Sequence, residues 1–302
     1  MKIAVFGGSG FIGGHLIREL VEQCEQVVNV SRSLKADVLD QVKNVTWDEL
    51  EVNPEILDGF DAFVNLAGES INQRWTKAAK DRILQSRLDA TNRIARLVRV
   101  LKNKPEVIVN GSGMSIYGYS DTATFDEKSP RKLTDFLGRT VDEWEKAVNR
   151  IKDVRIVKLR IGLVLGKDGG AFPLTVLPYR LFAGGKIGSG RQVHSWIHIK
   201  DMVGMIIYSI LHKEVNGAIN CTAPKPVTNA ELGRTIGKVL GRPHWFPAPG
   251  FMFRLILGEM SEVILKGQRV LPKRMLDYGY IFSYSTLDRA LKHILLKPDK
   301  EL

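Results

Sequence analysis

The chain is poor in cysteine. Only Cys24 and Cys221 occur among its 302 residues. Two cysteines exclude a disulfide-stapled scaffold and a zinc site built from clustered thiolates. A chain of this length can bury a sizeable core without such staples. A reducing, cytoplasmic location is therefore expected.

The chain also lacks a long hydrophobic run. Its longest apolar stretches, such as residues 202–211, are far shorter than the ~20 residues that a membrane-spanning helix needs. The first residues do not resemble a secretory signal, because their short apolar run ends in glycines and no A-x-A cleavage site follows. We therefore expect no membrane partner.

No block of like charge is present, although the formal net charge is +11, from 44 Lys and Arg against 33 Asp and Glu. Because the basic residues are dispersed, we interpret them as a solvated surface and expect no nucleic-acid partner. Binding to nucleic acid or to an anionic membrane surface through this charge is the alternative. Apolar residues at 44% and charged residues at 25% exclude a disordered chain.

Short apolar runs alternate with amphipathic segments through the first half of the chain. The predicted strands are residues 2–6, 26–30, 62–66, 106–110 and 155–159, and the predicted helices are residues 13–23, 77–102 and 134–150. This alternation is typical of a Rossmann-like, doubly wound α/β fold, in which helices cover both faces of a parallel sheet. We assign residues 1–165 to a dinucleotide-binding domain.

The second half is punctuated by Gly, Pro and aromatic residues. The pattern predicts a strand over residues 193–199 and helices over residues 202–212, 251–266 and 285–296. We expect residues 166–302 to form a smaller α/β domain on the substrate side.

The strongest motif is the glycine-rich segment at residues 7–13, which follows a predicted strand and opens a predicted helix. It fits G-x-x-G-x-x-G and also G-x-G-x-x-G. Glycines permit a tight turn, a close approach to a pyrophosphate and close helix–strand packing, and the helix N-terminus attracts phosphate. The expected contacts are Gly7, Ser9, Gly10, Phe11 and Ile12.

The acidic residue that binds an unphosphorylated adenosine ribose ~20 residues after such a loop is missing. Ser31 and Arg32 follow the second predicted strand instead. A guanidinium suits a 2′-phosphate, so the pattern favours NADP(H) over NAD. A solvated arginine is the alternative interpretation.

Together with the glycine loop, residues 65–68 and 117–118 resemble the extended short-chain dehydrogenase/reductases. Residues 66–71, 160–166, 195–199 and 267–272 are similar to the atypical branch called epimerase family proteins. That branch carries a C-terminal domain of unknown function, matched here by residues 249–297. The resemblance spans the chain and implies a Rossmann fold, NADP(H), a small polar, sugar-nucleotide-like substrate and a homodimer.

The same resemblance implies further site residues. Ala67 and Gly68 are expected close to the cofactor ribose and pyrophosphate, and Arg160 close to the nicotinamide. Arg191 lies in a segment that resembles the loop shaping the substrate pocket in the extended family, and we expect it to bind substrate.

The acid/base residues of the wider superfamily are absent. Its Tyr-x-x-x-Lys motif matches Phe136 and Thr140, and its serine position matches Gly113. Phenylalanine cannot exchange a proton and threonine carries no charge. Tyr117 is the substitute acid that we consider, with a packed aromatic as the alternative.

Other polar residues admit two interpretations. Ser112 is expected to hydrogen-bond substrate, with a local backbone role as the alternative. His198 is expected to be structural, with a proton switch as the alternative. No cluster of residues has metal-ligand spacing, so no metal is expected.

Two functions follow from these residues. The first is an NADP(H)-dependent oxidoreductase or sugar-nucleotide epimerase that lacks the usual Tyr-x-x-x-Lys pair. The second is a non-catalytic NADP(H)-binding sensor or regulatory protein.

Overall fold

The structure is a computed structural model that describes residues 1–24, 26–33 and 41–296. The strands are β1 (Lys2–Phe6), β2 (Gln26–Ser31), β3 (Lys43–Thr46), β4 (Ala62–Asn65), β5 (Val107–Gly113), β6 (Thr124–Phe125), β7 (Arg155–Ile161), β8 (Leu163–Leu165), β9 (Val193–His194), β10 (Trp196–His198), β11 (Gly217–Cys221), β12 (Val227–Thr228) and β13 (Arg269–Val270). The α-helices are α1 (Phe11–Val21), α2 (Trp47–Val52), α3 (Lys77–Val100), α4 (Phe136–Val148), α5 (Phe172–Arg180), α6 (Ile199–Leu211), α7 (Asn229–Leu240), α8 (Gly250–Leu257), α9 (Glu262–Leu265), α10 (Lys273–Asp277) and α11 (Leu287–Leu296). Short 3-10 helices occupy Pro54–Leu57, Met114–Tyr117 and Gly258–Ser261.

A parallel sheet of seven strands forms the centre, in the order β11-β7-β5-β4-β1-β2-β3. This confirms the Rossmann-like α/β fold predicted from the sequence. Its edge strand β11 comes from within the predicted substrate-side domain, so the two halves of the chain share one sheet. The division near residue 165 stays a prediction, and residues 297–302 lie outside the described part of the chain.

The core lies on both faces of the sheet, because successive strand side chains point to opposite sides. On one face Val5 of β1 packs with Leu16 of α1 in a cluster that α6 also covers. On the other face Phe6 packs with Phe63 of β4 and Ile94 of α3. Phe6 is the last residue of β1, so the core extends to the carboxyl edge of the sheet.

Two predictions of secondary structure are wrong in detail. The strand predicted over residues 193–199 is divided into β9 and β10, because β9 pairs with β12 and β10 pairs with β8. The helix predicted over residues 251–266 is interrupted after α8. There Gly258 has a φ of 59°, a left-handed conformation that cannot continue a right-handed helix. In the residues described, no helix combines the length and apolar character needed to cross a bilayer.

The segment that contains Gln268 and β13 links the two halves of the molecule through hydrogen bonds. The buried hydroxyl of Ser195 donates to the Gln268 carbonyl and accepts from the Val270 N–H, both at 2.8 Å. The Gln268 side-chain amide donates to the Met114 carbonyl at 3.0 Å, and β13 pairs with β6. Buried backbone groups outside the main sheet are satisfied in this way.

We predict that Ser195→Ala lowers the free energy of unfolding by about 2 to 4 kcal/mol, because each buried polar group left without a partner costs about 1–3 kcal/mol. Urea unfolding measures the change. The control is Ser189→Ala at an exposed serine, for which a change within about 0.5 kcal/mol is expected. Equal stability of the two variants would contradict the assignment.

Candidate functional site

The glycine loop joins the end of β1 to the start of α1. Gly7 has a φ of 89°, and a Cβ there would lie 2.8 Å from the backbone nitrogen of Ala67. A Cβ on Gly13, in the first turn of α1, would lie 2.4 Å from the Gly7 carbonyl oxygen. Glycine is thus required at both positions, for backbone conformation at the first and for close packing at both. Ser9 within the loop is exposed.

The first turn of α1 presents free backbone donors. Gly10 is the N-cap residue, and no side chain caps this helix. The Gly10 carbonyl accepts the Gly14 N–H at 2.8 Å, and the Gly10 N–H donates to the Gly7 carbonyl at 3.0 Å. The N–H groups of Phe11 and Ile12 have no partner within the helix, as in any first turn. This geometry suits a phosphate or another anion.

A second loop lies against the same helix. A Cβ on Gly166 or on Gly169 would come within 2.5 Å of the Phe11 ring, so only glycines let this loop approach so closely. The His15 Nε2 atom lies 2.9 Å from the Asp168 carboxylate and fixes the loop to α1. The sequence-based expectations do not include this loop, although its closely spaced glycines mark it.

The end of β2 places Ser31 and Arg32 at the same edge of the sheet as the glycine loop. Gly7 donates its N–H to the carbonyl of Val30, directly before Ser31, at 3.1 Å. The Ser31 hydroxyl donates to the Ser33 carbonyl at 2.7 Å. Arg32 is exposed, and its charge acts on the Glu69 carboxylate, whose direct ion pair is with Arg82 at 3.0 Å. The Arg32 guanidinium is therefore available to a ligand.

The segment after β4 lies on the other side of the glycine loop. The Asn65 side chain accepts the Ala67 N–H at 3.2 Å and donates to Asn110 at 2.7 Å. Ala67 thereby contacts Gly7, as the close approach of the two backbones requires. The structure brings the glycine loop, Arg32 and Ala67 to one edge of the sheet.

Three further residues predicted for the site belong to one buried network. Arg160 donates to both carboxylate oxygens of Glu145, at 2.9 and 3.1 Å, and to the Tyr117 hydroxyl at 2.8 Å. The Tyr117 hydroxyl donates to Asn220 at 2.7 Å, and the Ser112 hydroxyl donates to Glu145 at 2.8 Å. Arg131, whose side chain is 39% exposed, also donates to Glu145 at 3.3 Å, so the network reaches the protein surface.

Burial and charge act in opposite directions inside this network. Burial raises the pKa of the Tyr117 phenol, and the Arg160 charge only partly offsets it. Burial also opposes ionisation of Glu145, but the hydrogen bonds and charge of Arg160 outweigh it and hold that pKa below its usual value. Tyr117 is 0% exposed and Ser112 is 5% exposed. Both side chains are therefore buried, and their hydroxyl groups bond to Asn220 and Glu145.

Helix α4 carries the positions of the missing Tyr-x-x-x-Lys pair. Phe136 is the first residue of this helix. The Phe136 ring packs edge-on against Trp75, with ring centroids 5.3 Å apart. One turn later, Thr140 is 3% exposed, and its hydroxyl has no hydrogen-bond partner among the described residues.

Arg191 follows two glycines with positive φ, Gly188 at 57° and Gly190 at 72°. Its backbone N–H donates to the Ser189 hydroxyl at 3.2 Å, and its side chain is exposed. The neighbouring Gln192 amide anchors the loop by donating to the carbonyls of Ile187 and Ile264. The loop therefore presents a cation on a fixed backbone. No group of three or more His, Cys, Asp or Glu side chains that could hold a metal occurs in the part of the chain described.

These features define a dinucleotide-binding protein of the Rossmann class. Residues 3–222 match the NAD dependent epimerase/dehydratase family, and the chain belongs to that family. Residues 248–294 match a domain of unknown function, DUF1731. This confirms the resemblance seen in the sequence, including its C-terminal domain.

Relatives match the chain along its whole length. Epimerase family protein YfhF of Bacillus subtilis is 42% identical over 298 residues, with 98% of each chain covered. An Arabidopsis thaliana relative, 38% identical over 98% of this chain and 87% of its own, is named chloroplastic. The cytoplasmic location of this chain therefore stays a prediction, as does the homodimer.

Solved structures agree with the fold. The crystal structure of human epimerase family protein SDR39U1 with NADPH has a TM-score of 0.92 and 38% identity, covering 99% of this chain and 100% of that one. The nucleoside-diphosphate sugar epimerase of Corynebacterium glutamicum has a TM-score of 0.79 and 28% identity, covering 98% of this chain and 58% of that one.

Two buried histidines, His198 and His293, lie in the second half of the chain, and His194 is half-buried. His198 Nδ1 accepts the Lys200 N–H at 3.0 Å, and its Nε2 lies 3.1 Å from Nδ1 of His293. Burial lowers the pKa of His194 to about 4. Burial, reinforced by nearby His293, lowers the pKa of His198 to about 3. The contacts of His198 support the structural role expected for it.

We predict that acid destabilises the protein through these histidines. Below about pH 6.5 the unfolded chain binds protons that the folded chain excludes, so stability falls as the pH drops toward the folded pKa values. Between pH 6.5 and 4.5 the loss should be smaller in His198→Gln than in wild type, by about 1.4 kcal/mol per pH unit. Urea unfolding across this range measures it. His212→Gln, at a half-buried histidine whose side chain is 40% exposed, is the control. Equal slopes in wild type and His198→Gln would refute the assignment.

Proposed function

We propose that the protein binds NADP(H) at the glycine loop and acts as an NADP(H)-dependent oxidoreductase or sugar-nucleotide epimerase. The observation that carries this proposal is the uncapped start of α1, enclosed by a glycine loop that no larger residue can replace. A pyrophosphate would accept hydrogen bonds from the N–H groups of Phe11 and Ile12. NADPH in the human relative's structure, at 38% identity over 99% of this chain, supports the same ligand here.

The preference for NADP(H) depends on the end of β2. Arg32 is exposed at that edge, and the nearby Glu69 carboxylate pairs directly with Arg82 rather than with Arg32. A guanidinium forms strong charge-assisted bonds with phosphate, whereas the acidic residue suited to a free ribose diol is missing. Ser31 provides the strand end that positions Arg32.

The reaction differs from that of the superfamily in its proton transfer. Phe136 and Thr140 cannot exchange a proton, and the hydroxyls of Tyr117 and Ser112 bond within the protein. We assign Tyr117, Ser112 and Arg160 to positioning rather than to contact with ligand. The similar C. glutamicum protein is named a nucleoside-diphosphate sugar epimerase, which supports a sugar-nucleotide-like substrate. Arg191 is the cation that we assign to that substrate.

The burial of Tyr117 and Ser112 also favours a second candidate, a non-catalytic NADP(H)-binding sensor or regulatory protein. Such a protein keeps the cofactor site and needs no acid/base group. The two candidates differ in whether a substrate oxidises bound NADPH.

We predict that the protein, stripped of nucleotide, binds NADPH and NADP+ more tightly than NADH and NAD+. Arg32→Asp should weaken NADPH binding by about 10- to 100-fold, since a hydrogen bond to a charged group contributes about 1.5–3 kcal/mol. Calorimetric titration measures all four ligands. The matched control is Arg99→Asp, the same charge change at an exposed arginine of α3. Absence of binding by all four nucleotides would refute the proposed function.

We predict that nucleotide sugars with a reducible or oxidisable sugar change the absorbance of bound nicotinamide, and that Tyr117→Phe keeps this turnover with an unchanged pH profile. The phenol is 0% exposed, so its loss should lower stability rather than remove an acid. A flattened or shifted pH profile in Tyr117→Phe would show that the Tyr117 phenol acts as the acid. Tight cofactor binding without turnover across the panel would favour the sensor.

A further inference from the structure

Helix α8 is apolar and stands clear of the core. None of its eight residues is buried. The side chains of Phe251, Met252, Leu255 and Ile256 are exposed, and residues at this spacing share one face of a helix. Folded proteins rarely leave a contiguous group of large apolar side chains in water, so such a face marks an interaction site.

Two loops extend this face. The Trp245 indole N–H donates to the Phe182 carbonyl at 2.8 Å, which joins the loop before α8 to the loop after α5. Helix α8 begins against the second of these loops, because a Cβ on Gly250 would lie 3.9 Å from Gly188. We call the exposed apolar side chains of the two loops and of α8 the apolar surface, which consists of Phe182, Trp245, Phe246, Phe251, Met252, Leu255 and Ile256.

The Phe182 ring is held in solvent on a strained backbone. Its φ is 60°, a left-handed conformation that is uncommon for a residue with a Cβ. The ring is exposed, and the Arg242 guanidinium lies over it at 4.2 Å. Backbone strain of this kind is concentrated at functional sites. The strain therefore supports a role for this ring outside the core.

The segments that form the apolar surface carry charge of one sign. Residues 171–190 and 232–258 contain six basic residues and no Asp or Glu. All six are exposed. They are Arg180, Lys186, Arg234, Lys238, Arg242 and Arg254. A partner that covers this surface must therefore combine negative charge with an apolar layer.

Charge and shape together select the occupant. A second copy of the chain would bring cations against cations, and the net charge of the whole chain is already +11. A peptide ligand for an apolar helix face needs a complementary groove, whereas α8 projects with no buried residue. An anionic bilayer offers negative headgroups above an apolar layer. Apolar helices flanked by Arg and Lys, with Trp and Phe, lie in that boundary.

We propose that the apolar surface docks on an anionic phospholipid membrane, with α8 in the plane of the headgroups and the basic residues against lipid phosphates. A helix that lies on a bilayer in this way does not cross it, so a long apolar segment is not required. The dispersed positive charge of the sequence left this alternative open. Docking requires no bound nucleotide, so it is independent of the proposed function.

The first test is flotation of the full chain with vesicles of phosphatidylcholine, either alone or with about 30% phosphatidylglycerol. We expect flotation with the anionic vesicles only, and less of it as salt screens the basic residues. Trp245 provides a second measurement because it is 70% exposed, whereas the other four tryptophans are buried. Anionic vesicles should therefore protect the tryptophan fluorescence from acrylamide, and Trp245→Phe should remove that effect.

Two variants test the apolar face. Leu255→Gln combined with Ile256→Gln should weaken binding to anionic vesicles by about tenfold or more, since two apolar side chains no longer leave water. Both residues are exposed, so the fold should be retained. The matched control is Val52→Gln combined with Val100→Gln, at exposed valines of α2 and α3, which should change binding less than about twofold.

The charge is tested separately. Arg254→Gln should weaken binding by about three- to fivefold, because a basic residue near an anionic surface contributes about that factor. Arg99→Gln, at an exposed arginine of α3, should have no effect. Absence of flotation at low salt, equal flotation with neutral vesicles, or unchanged binding by the Leu255 and Ile256 double variant would overturn the proposal. Dimerisation that this double variant abolishes, without vesicle binding, would assign the surface to a second copy.

Discussion

The buried ion pair between Glu145 and Arg160 is the interaction on which the carboxyl edge of the sheet depends. It joins α4 to β7, and through Tyr117 and Asn220 it extends to β11 at the edge. Ser112 of β5 and Arg131 also donate to this carboxylate. Removing one member of a buried pair leaves an uncompensated charge, at a cost of about 3–5 kcal/mol. The network therefore holds polar groups that resemble catalytic ones in positions where they serve the fold.

Helix α4 carries no group suited to proton transfer on its face toward α3. The face of this helix toward α3 carries Phe136, Thr140 and Trp144 where proton transfer would be expected. An aromatic ring, an unsatisfied hydroxyl and an indole cannot perform it at neutral pH. Arg87 brings a cation to that face from α3. Cofactor binding and proton transfer are thus separable in this fold, because the first depends on backbone and charge and the second on a particular titrating side chain.

Much of the fold was predictable from the sequence, and the site only in part. The strands of the sheet follow from short apolar runs, and the glycine loop follows from backbone requirements at Gly7 and Gly13. The break in the helix predicted over residues 251–266 was not predicted, since a glycine inside an apolar run carries no information on its φ. The sequence does not decide whether Tyr117 is buried, because a tyrosine beyond a strand has the same local pattern whether packed or exposed. No local pattern distinguishes Arg87 from the other arginines of α3.

The sequence by itself determined the class of fold, the position of the phosphate loop and the absence of the usual acid/base pair. These properties depend on residues that are close along the chain: strand periodicity, glycine spacing and the residue types of one helical turn. Only the tertiary structure decided which polar groups are enclosed and which remain open to a ligand. Tyr117 hydrogen-bonds to Asn220, 103 positions away along the chain, and Arg160 hydrogen-bonds to Glu145, 15 positions away. Which groups pair in this way depends on how far each is removed from water and on hydrogen-bond geometry. Neither property can be predicted from the spacing of residues along the chain.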